Sequence, residues 1–436
     1  MLTAFLRAFR TPDLRRKLLF TVCMIAVFRL GAALPTPGIS ESAVHKCIGL
    51  ASTQGGSVFA LVNLFSGGAL LKLSVFALGI MPYITASIIL QLLAVVIPRL
   101  ETLRQEGQAG QAKITQYTRY LTVGLAILQS TGIVALARSG NLFGSVSCPS
   151  LIPNDSIFTI TTMVICMTAG TAVIMWLGEL ITDRGVGNGM SILIFTQVIA
   201  VIPGEMLNIY RSKHAFVFGV VLLVGVAIVA FVVFMEQAQR RIPVQYAKRM
   251  VGRKMYGGTS TYIPLKVNQA GVIPVIFASS LLYIPQLAST IFGNQTHPQG
   301  WYLWINRYMV RGDSAVYMLS FFALIVFFTY FYVAITFNPT EVADNMKKYG
   351  GFIPGIRPGR PTAEYLNYVL TRLTAPGSVY LGVIALIPMI ALALVGATQN
   401  FPFGGTSILI AVGVGLDTVK QIESQLQQRN YEGFLR

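Results

Sequence analysis

The sequence predicts an all-α membrane protein with ten transmembrane helices. Its composition, its long apolar stretches and the placement of its basic residues support this prediction. Of 436 residues, 54% are hydrophobic and only 11% are charged, and the mean hydropathy is +0.65. An ordinary soluble domain carries about 25% charged residues. The composition therefore indicates a polytopic membrane protein.

Ten apolar stretches are long enough to cross a bilayer, which needs about 20 mostly apolar residues per helix. The predicted spans are residues 18–34, 73–97, 120–137, 157–178, 186–203, 215–235, 270–292, 314–337, 377–397 and 404–422. The basic, amphipathic segment 1–17 precedes them and lacks the features of a cleaved signal peptide. The tail 426–436 follows them. We expect nothing to be removed from the chain.

The basic residues predict the orientation of these spans. With the N-terminus inside, 25 of the 33 Lys and Arg residues fall in cytoplasmic segments or, for Lys420, at the cytoplasmic end of the last span, 7 fall in exterior segments, and Arg29 lies within the first span. Short cytoplasmic loops of membrane proteins carry an excess of Lys and Arg. We therefore expect both termini in the cytoplasm.

Ten spans divide into five plus five, and an odd number of crossings gives the two halves opposite orientations. This arrangement is typical of inverted repeats around a pore or site at mid-membrane. The predicted halves are residues 18–208 and 209–425.

Two cytoplasmic loops, residues 236–269 and 338–376, are long and basic. One interpretation is a topology signal that also contacts lipid headgroups, worth about 1 kcal/mol per basic residue near an anionic surface. The other is a docking platform for a cytoplasmic partner. The candidate docking residues are Arg249, Arg253, Lys254, Arg357 and Arg360.

The predicted spans contain few groups that could carry chemistry. Only Asp417 lies well inside a span, Glu179 follows the fourth span, and all three histidines lie in exterior loops. Ion-coupled carriers rely on intramembrane ionisable groups, which disfavours an ion-coupled transporter, the main alternative. No metalloprotease, serine hydrolase or P-loop motif is present. We expect no catalytic site, no metal and no cofactor.

The four cysteines show no metal-binding spacing. Cys23 and Cys166 fall within spans, whereas Cys47 and Cys148 fall in exterior loops. We interpret all four as packing residues, with a bond between Cys47 and Cys148 as the alternative.

One apolar stretch is too short to span a bilayer. It comprises Ser57, Val58, Phe59, Ala60, Leu61, Val62, Asn63, Leu64 and Phe65, flanked by glycine pairs on both sides. It is either an interfacial helix on the outer surface or a re-entrant plug at about residues 57–67, since irregular backbone at membrane depth must be buried in protein or line a cavity.

Motifs along the whole chain resemble the SecY family of protein-conducting channels. They include FSGGAL from Phe65, FALGIMPYITASIILQLL from Phe76, QYTRY from Gln116, RGVGNG from Arg184, QRRIPV from Gln239, PLKVN from Pro264, PGIRPG from Pro354 and FGGTS from Phe403. The resemblance implies an hourglass pore that translocates unfolded secretory polypeptides across the bacterial cytoplasmic membrane and releases transmembrane segments laterally. It implies a passive pore, not an enzyme.

The resemblance also implies site residues. A ring of apolar side chains closes the pore, and here it falls on Ile80, Ile84, Met190, Ile194, Ile276 and Ile410. Met190 departs from the isoleucine often found in the family, but it is similarly apolar. A lateral gate lies between spans two, three, seven and eight, with polar residues at Thr85, Gln129 and Asn268.

The partners implied by the resemblance are the SecE and SecG subunits, the SecA motor, the ribosome, signal sequences and nascent polypeptides, together with anionic lipids. Arg357 occupies the position of the basic residue in the family's second docking loop.

Overall fold

The computed structural model describes residues 11–44, 46–47, 68–70, 72–138, 151–153, 155–212, 215–246, 249–251, 254–256, 260–292, 300, 304, 308, 314–395 and 405–432. The proposed plug at 57–65, Cys148 and Arg253 lie outside these residues. The described part is mostly helical, as the composition predicts.

Its helices, numbered in chain order, are α1 (Pro12–Ala33), α2 (Met81–Val96), α3 (Pro98–Gln105), α4 (Gln108–Arg138), α5 (Ile157–Arg184), α6 (Gly189–Ser212), α7 (Ala215–Gln237), α8 (Ile273–Phe292), α9 (Ala315–Thr336), α10 (Pro339–Lys348), α11 (Arg360–Val395) and α12 (Gly405–Glu432). Its strands are β1 (Gln239–Tyr246), β2 (Arg249–Val251), β3 (Lys254–Tyr256), β4 (Ser260–Lys266) and β5 (Gly351–Phe352).

A helix occupies each of the ten predicted spans. Within the described residues, five helices are by themselves long and apolar enough to cross a membrane, or six if the bent pair α2 and α3 forms one span. The number of crossings therefore stays a prediction. Several boundaries differ from the expected ones, among them the starts of α2 and α11. α2 begins only at Met81, after a run of turns in which Gly79 has a φ of 57°, and α11 begins at Arg360, well before the apolar run.

Helices of both predicted halves meet in one apolar cluster. This central cluster is formed by side chains of α1, α2, α5, α6, α8 and α12, with Ile80 and neighbouring residues before α2. A second cluster joins α4 and α5 to the segments before α2 and α5, and a third joins α7, α8, α9 and α11 to α2 and α12.

The two long loops form a β-sheet, which we did not predict. β1 pairs with β4 in antiparallel register from Gln239 with Lys266 to Gln245 with Ser260, and β5 pairs with the other edge of β1. We call this three-stranded unit the loop sheet. Ile242, Val244 and Leu265 face its core, which α10 and α11 complete. Burial alternates from Arg241 to Gln245, with Ile242 and Val244 buried and the other three exposed, which is typical of such a half-buried strand.

The interpretation of the cysteines as packing residues is wrong for Cys47. Cys47 is buried and disulfide-bonded, and its partner lies outside the described residues. Cys23 and Cys166 are free. Disulfides persist on the oxidising side of a membrane, where Cys47 is expected to lie.

Candidate functional site

The structure brings all six residues of the predicted pore ring into the central cluster. Ile80, Ile194, Ile276 and Ile410 are 1 to 8% exposed, and Ile84 and Met190 are partly buried against them. We call these six side chains the constriction residues. They come from α6, α8 and α12 and from the start of α2, so no single helix could form this group.

The turn before α2 positions Ile80. Ile80 is the residue before the helix, and its carbonyl accepts from the Ile84 backbone N–H at 3.1 Å. That bond continues the helical spacing by one residue, and both side chains join the central cluster.

The junction of α5 and α6 positions Met190 and Ile194. Asn188 caps α6 by accepting from the backbone N–H of Met190 at 3.1 Å, and the Gly189 N–H donates to the Thr182 hydroxyl at 2.9 Å. A Cβ built at Gly189 would overlap the Gly178 carbonyl. Glycine therefore permits the two helices to approach at backbone contact, with the Met190 side chain packed over Gly178.

The three predicted gate residues do not hydrogen-bond one another within the described part of the chain. The Thr85 hydroxyl donates to the Met81 carbonyl at 2.9 Å, and Gln129 is half-buried on α4. Asn268 lies in the turn before α8, where its amide donates to the Gly271 carbonyl at 3.3 Å and to the Glu236 carboxylate. The bonds of Asn268 therefore run to the end of α7.

Glu236 is a buried carboxylate that the sequence analysis assigned to a loop and did not single out. It is 8% exposed and is bonded by Asn268, which is 3% exposed. Next to this pair, the Val267 N–H donates to the Ala238 carbonyl at 3.0 Å. This bond joins the residue before β1 to the residue after β4. Its position could have identified it, because Glu236 directly follows an apolar run. A carboxylate that is buried there needs a partner.

A second charged contact joins α4 and α5. Arg119 binds Glu179 through two bonds of 2.9 and 2.7 Å and also donates to Gln116 at 3.0 Å. Such bidentate pairs fix geometry. Glu179, noted in the sequence as a carboxylate near a span, is therefore paired.

The basic docking candidates divide between two sites. Arg357 is exposed in the turn between Gly355 and Gly359, and Arg360 opens α11 and pairs with Glu364 at 3.2 Å. Arg249 and Lys254 lie on the paired strands β2 and β3. The side chains of these last two residues, and all of Arg253, fall outside the described part.

A cavity of about 420 Å³ lies between the start of α6 and the stretch of α12 from Val414 to Ser424. Its wall contains hydroxyl, amide and charged groups, among them Asn188 and Asp417. Asp417 also pairs with Lys266 of β4 at 3.3 Å. The cavity therefore opens on the side of the constriction residues that carries the loop sheet. We call this the sheet side.

These features define a helical membrane protein in which helices of both predicted halves meet in a central apolar cluster, with a polar cavity near the loop sheet. The SecY family model matches residues 74–419. The chain is 68% identical to the protein translocase subunit SecY of Streptomyces galbus and 61% identical to that of Mycobacterium bovis, with full coverage of both proteins in each case. The chain belongs to the SecY family.

The fold is similar to that of solved channels. One structure, described as a protein conducting channel, has a TM-score of 0.63 at 19% identity, with 94% of this chain and 92% of that chain covered. Sec61 in a canine ribosome-channel complex has a TM-score of 0.60 at 18% identity, with the same coverage.

Proposed function

We propose that this chain is the pore subunit of a protein-conducting channel that passes unfolded secretory polypeptides across the bacterial cytoplasmic membrane and releases transmembrane segments sideways into the bilayer. The observation that carries the proposal is the meeting of six apolar constriction residues, from helices of both predicted halves, in one buried cluster. Membership of the SecY family, whose relatives are named translocase subunits, supports it.

The constriction residues seal the idle pore against ions. A narrow passage lined by isoleucine and methionine offers an ion no substitute for its water shell, so the passage closes by dewetting. Hydrocarbon side chains also make no directional bonds to a passing chain, so they adapt to any sequence. The segment 57–67 forms a second barrier in this proposal.

The lateral gate lies where α8 and α9 meet α2 and α4. α8 packs against both α2 and α4, and α9 packs against α8. Thr85 and Gln129 stand on the α2 and α4 side of this seam, and Asn268 acts on the gate by anchoring the start of α8 to Glu236. A sufficiently apolar segment leaves through the seam because its transfer to lipid is favourable.

The halves 18–208 and 209–425 are inverted repeats in this proposal, and the sheet side faces the cytoplasm together with both termini. The loop sheet and the turn at Arg357 then dock the SecA motor or the ribosome, while SecE and SecG pack around the helices and anionic lipids contact the basic loops. The excess of basic residues in these segments supports that orientation, and energy comes from the docked partner.

Recordings from planar bilayers test the seal. Replacing Ile194 and Ile276 together by Ser stabilises water in the constriction, so we expect a higher resting ion conductance and a weaker requirement for a signal sequence. Ile199→Ser is the matched control, because Ile199 is on α6 but 39% exposed. A double variant as tight as the parent would contradict the proposed constriction.

Export assays test the docking turn. Arg357→Glu places a carboxylate where a guanidinium would meet carboxylate or phosphate partners. We expect impaired motor-driven export with normal membrane insertion of the protein and a normal idle seal. Unchanged export together with unchanged motor binding would mean that this loop acts only as a topology signal.

A further inference from the structure

Three buried polar side chains lie close to the constriction residues. Gln197 and Ser407 are 0% exposed and Ser280 is 8% exposed. The amide nitrogen and oxygen of Gln197 have no hydrogen-bond partner among the described residues, and the hydroxyls of Ser280 and Ser407 have none there either. Buried polar groups are almost always paired, so three unpaired ones in one region point to a ligand.

Helical spacing places each of the three beside a constriction residue. Gln197 follows Ile194 by three positions in α6, and Ser280 follows Ile276 by four in α8. Ser407 precedes Ile410 by three positions in α12. Residues three or four apart share a helix face, so these polar groups face the same axis as the constriction, one turn away from it.

All three lie on the same side of the constriction. The start of α8 adjoins the loop sheet, Asp417 of α12 pairs with Lys266 of that sheet, and Asp417 lines one cavity with Asn188 at the start of α6. The sheet side therefore holds the starts of α6 and α8 and the later part of α12. Gln197 and Ser280 come after Ile194 and Ile276 in helices that lead away from the sheet side. Ser407 comes before Ile410 in α12, which leads toward the sheet side. The three polar groups therefore form one layer on the side of the constriction residues opposite the loop sheet.

We propose that Gln197, Ser280 and Ser407 form a hydrogen-bonding layer that binds the main-chain amides of a polypeptide as it leaves the constriction. The inference rests on the proposed function, which makes the six apolar residues the narrowest point of the path. A chain between apolar side chains has lost the water around its N–H and C=O groups, and unpaired groups of this kind are costly. The layer offers the first replacement partners.

The chemistry of the layer fits a main chain better than an ion. An amide and two hydroxyls supply both donors and acceptors and carry no charge. They can therefore pair with the N–H and C=O groups that every residue presents, whatever its side chain. The same groups are buried without partners among the described residues, so a bound chain supplies partners that those residues do not.

Single-turnover transport into vesicles tests the layer. The triple variant Gln197→Leu, Ser280→Ala, Ser407→Ala removes the polar atoms of the layer with little change in side-chain size. We expect chain transit to slow about fivefold, equally for a Gly/Ser-rich and a Leu-rich passenger. Thr196→Val is the matched control on α6, because the Thr196 hydroxyl is already bonded to the Ile192 carbonyl at 2.8 Å. We expect it to transport at the parental rate.

A semisynthetic passenger identifies the bound group. Replacing several consecutive backbone amides by esters removes their N–H donors, so the parent channel should slow toward the rate of the triple variant, and the triple variant itself should change little. Equal slowing in both channels, or transit by the triple variant at the parental rate, would overturn the proposal and leave the layer as a site for water only. If the triple variant does not accumulate, Gln197→Leu alone should show about a twofold slowing, and a parental rate there would equally overturn it.

The outcome is separable from that of the proposed constriction. The constriction is tested through idle conductance of its serine variants, whereas the layer is tested through transit rate at an intact idle seal. Tight serine variants would refute the constriction whatever the transit rate of the triple variant.

Discussion

The helices α6 and α8 bring isoleucines from opposite halves to the central cluster, but different contacts hold them in place. The start of α6 is held by backbone packing, because Gly189 lies against the backbone of α5 at Gly178, and its N–H bond to Thr182 adds to this contact. The start of α8 is held by polar bonds, because Asn268 connects Glu236 at the end of α7 to the Gly271 carbonyl. Both starts lie on the sheet side.

This difference indicates which helix is built to stay fixed and which can move. Because the backbones of α5 and α6 touch at Gly189, α6 cannot shift without losing this packing. A buried hydrogen-bonded pair can separate if another partner or water replaces it, and Glu236 is only three positions before the first residue of β1. Force on the loop sheet therefore reaches α8 more directly than α6.

The largest effect is expected from Gly189→Ala. The added methyl group would overlap the Gly178 carbonyl, which cannot move without shifting α5, so we expect a loss of about 3 kcal/mol in the free energy of unfolding. Displacement of α6 also moves Met190 and Ile194 and should raise idle ion conductance. The measurements are denaturant unfolding in detergent and planar-bilayer recording.

Gly204→Ala is the control for this prediction, because Gly204 is on the same helix and a Cβ there meets nothing within 4 Å. Alanine favours a helix over glycine, so this variant should be neutral or slightly stabilising. Equal losses from both substitutions would show that the α5 and α6 contact has no special role.

A smaller effect is expected from Glu236→Ala. The change leaves the buried Asn268 amide with only the Gly271 carbonyl as acceptor, which costs about 2 kcal/mol in the free energy of unfolding. Loosening of α8 should ease gate opening, measured as transport of a precursor with a weakened signal sequence.

Glu236→Gln should keep both stability and signal requirement near the parental values. Its amide oxygen still accepts from Asn268, and its amide nitrogen can reach the Asn268 oxygen, which is buried without a partner among the described residues. If Glu236→Gln behaves as Glu236→Ala does, the negative charge rather than the hydrogen bond is what matters.

The smallest effect is expected from the pair of Lys266 and Asp417, which joins β4 to α12. Both side chains are substantially exposed, so Asp417→Asn should cost less than about 1 kcal/mol. High salt should remove even this difference, because it screens exposed pairs. Unfolding in low and in 1 M salt is the measurement. A large, salt-insensitive loss would indicate that Asp417 has a further buried partner.

Much of the helical fold could be predicted from local sequence. Apolar runs require helices in a bilayer, and each of the ten predicted spans contains a helix. Boundaries were less predictable, as at Ile80, because turns that are held by tertiary contacts can be as apolar as the helix that follows. The loop sheet was missed because its strands are short and carry many charges, so basic residues masked the alternation around Ile242 and Val244.

The candidate site could be predicted only in part. The motifs shared with the SecY family led to the six constriction residues, but the hydropathy of Ile80 or Ile276 alone does not distinguish a constriction from ordinary packing. Glu236 and Gln197 were not predicted at all. Nothing local in the sequence indicates that Glu236 finds Asn268, or that Gln197 is buried without a described partner.

By itself the sequence determined that this chain is a polytopic helical membrane protein, because the free energy of placing apolar residues in lipid depends on composition and length and not on neighbours. It also determined the family, because the motifs occur in order along the chain. Tertiary structure decided which isoleucines meet, which glycine permits backbone contact and which buried polar groups have no partner among the described residues. Each of these depends on residues far apart in sequence that come together only when the helices pack.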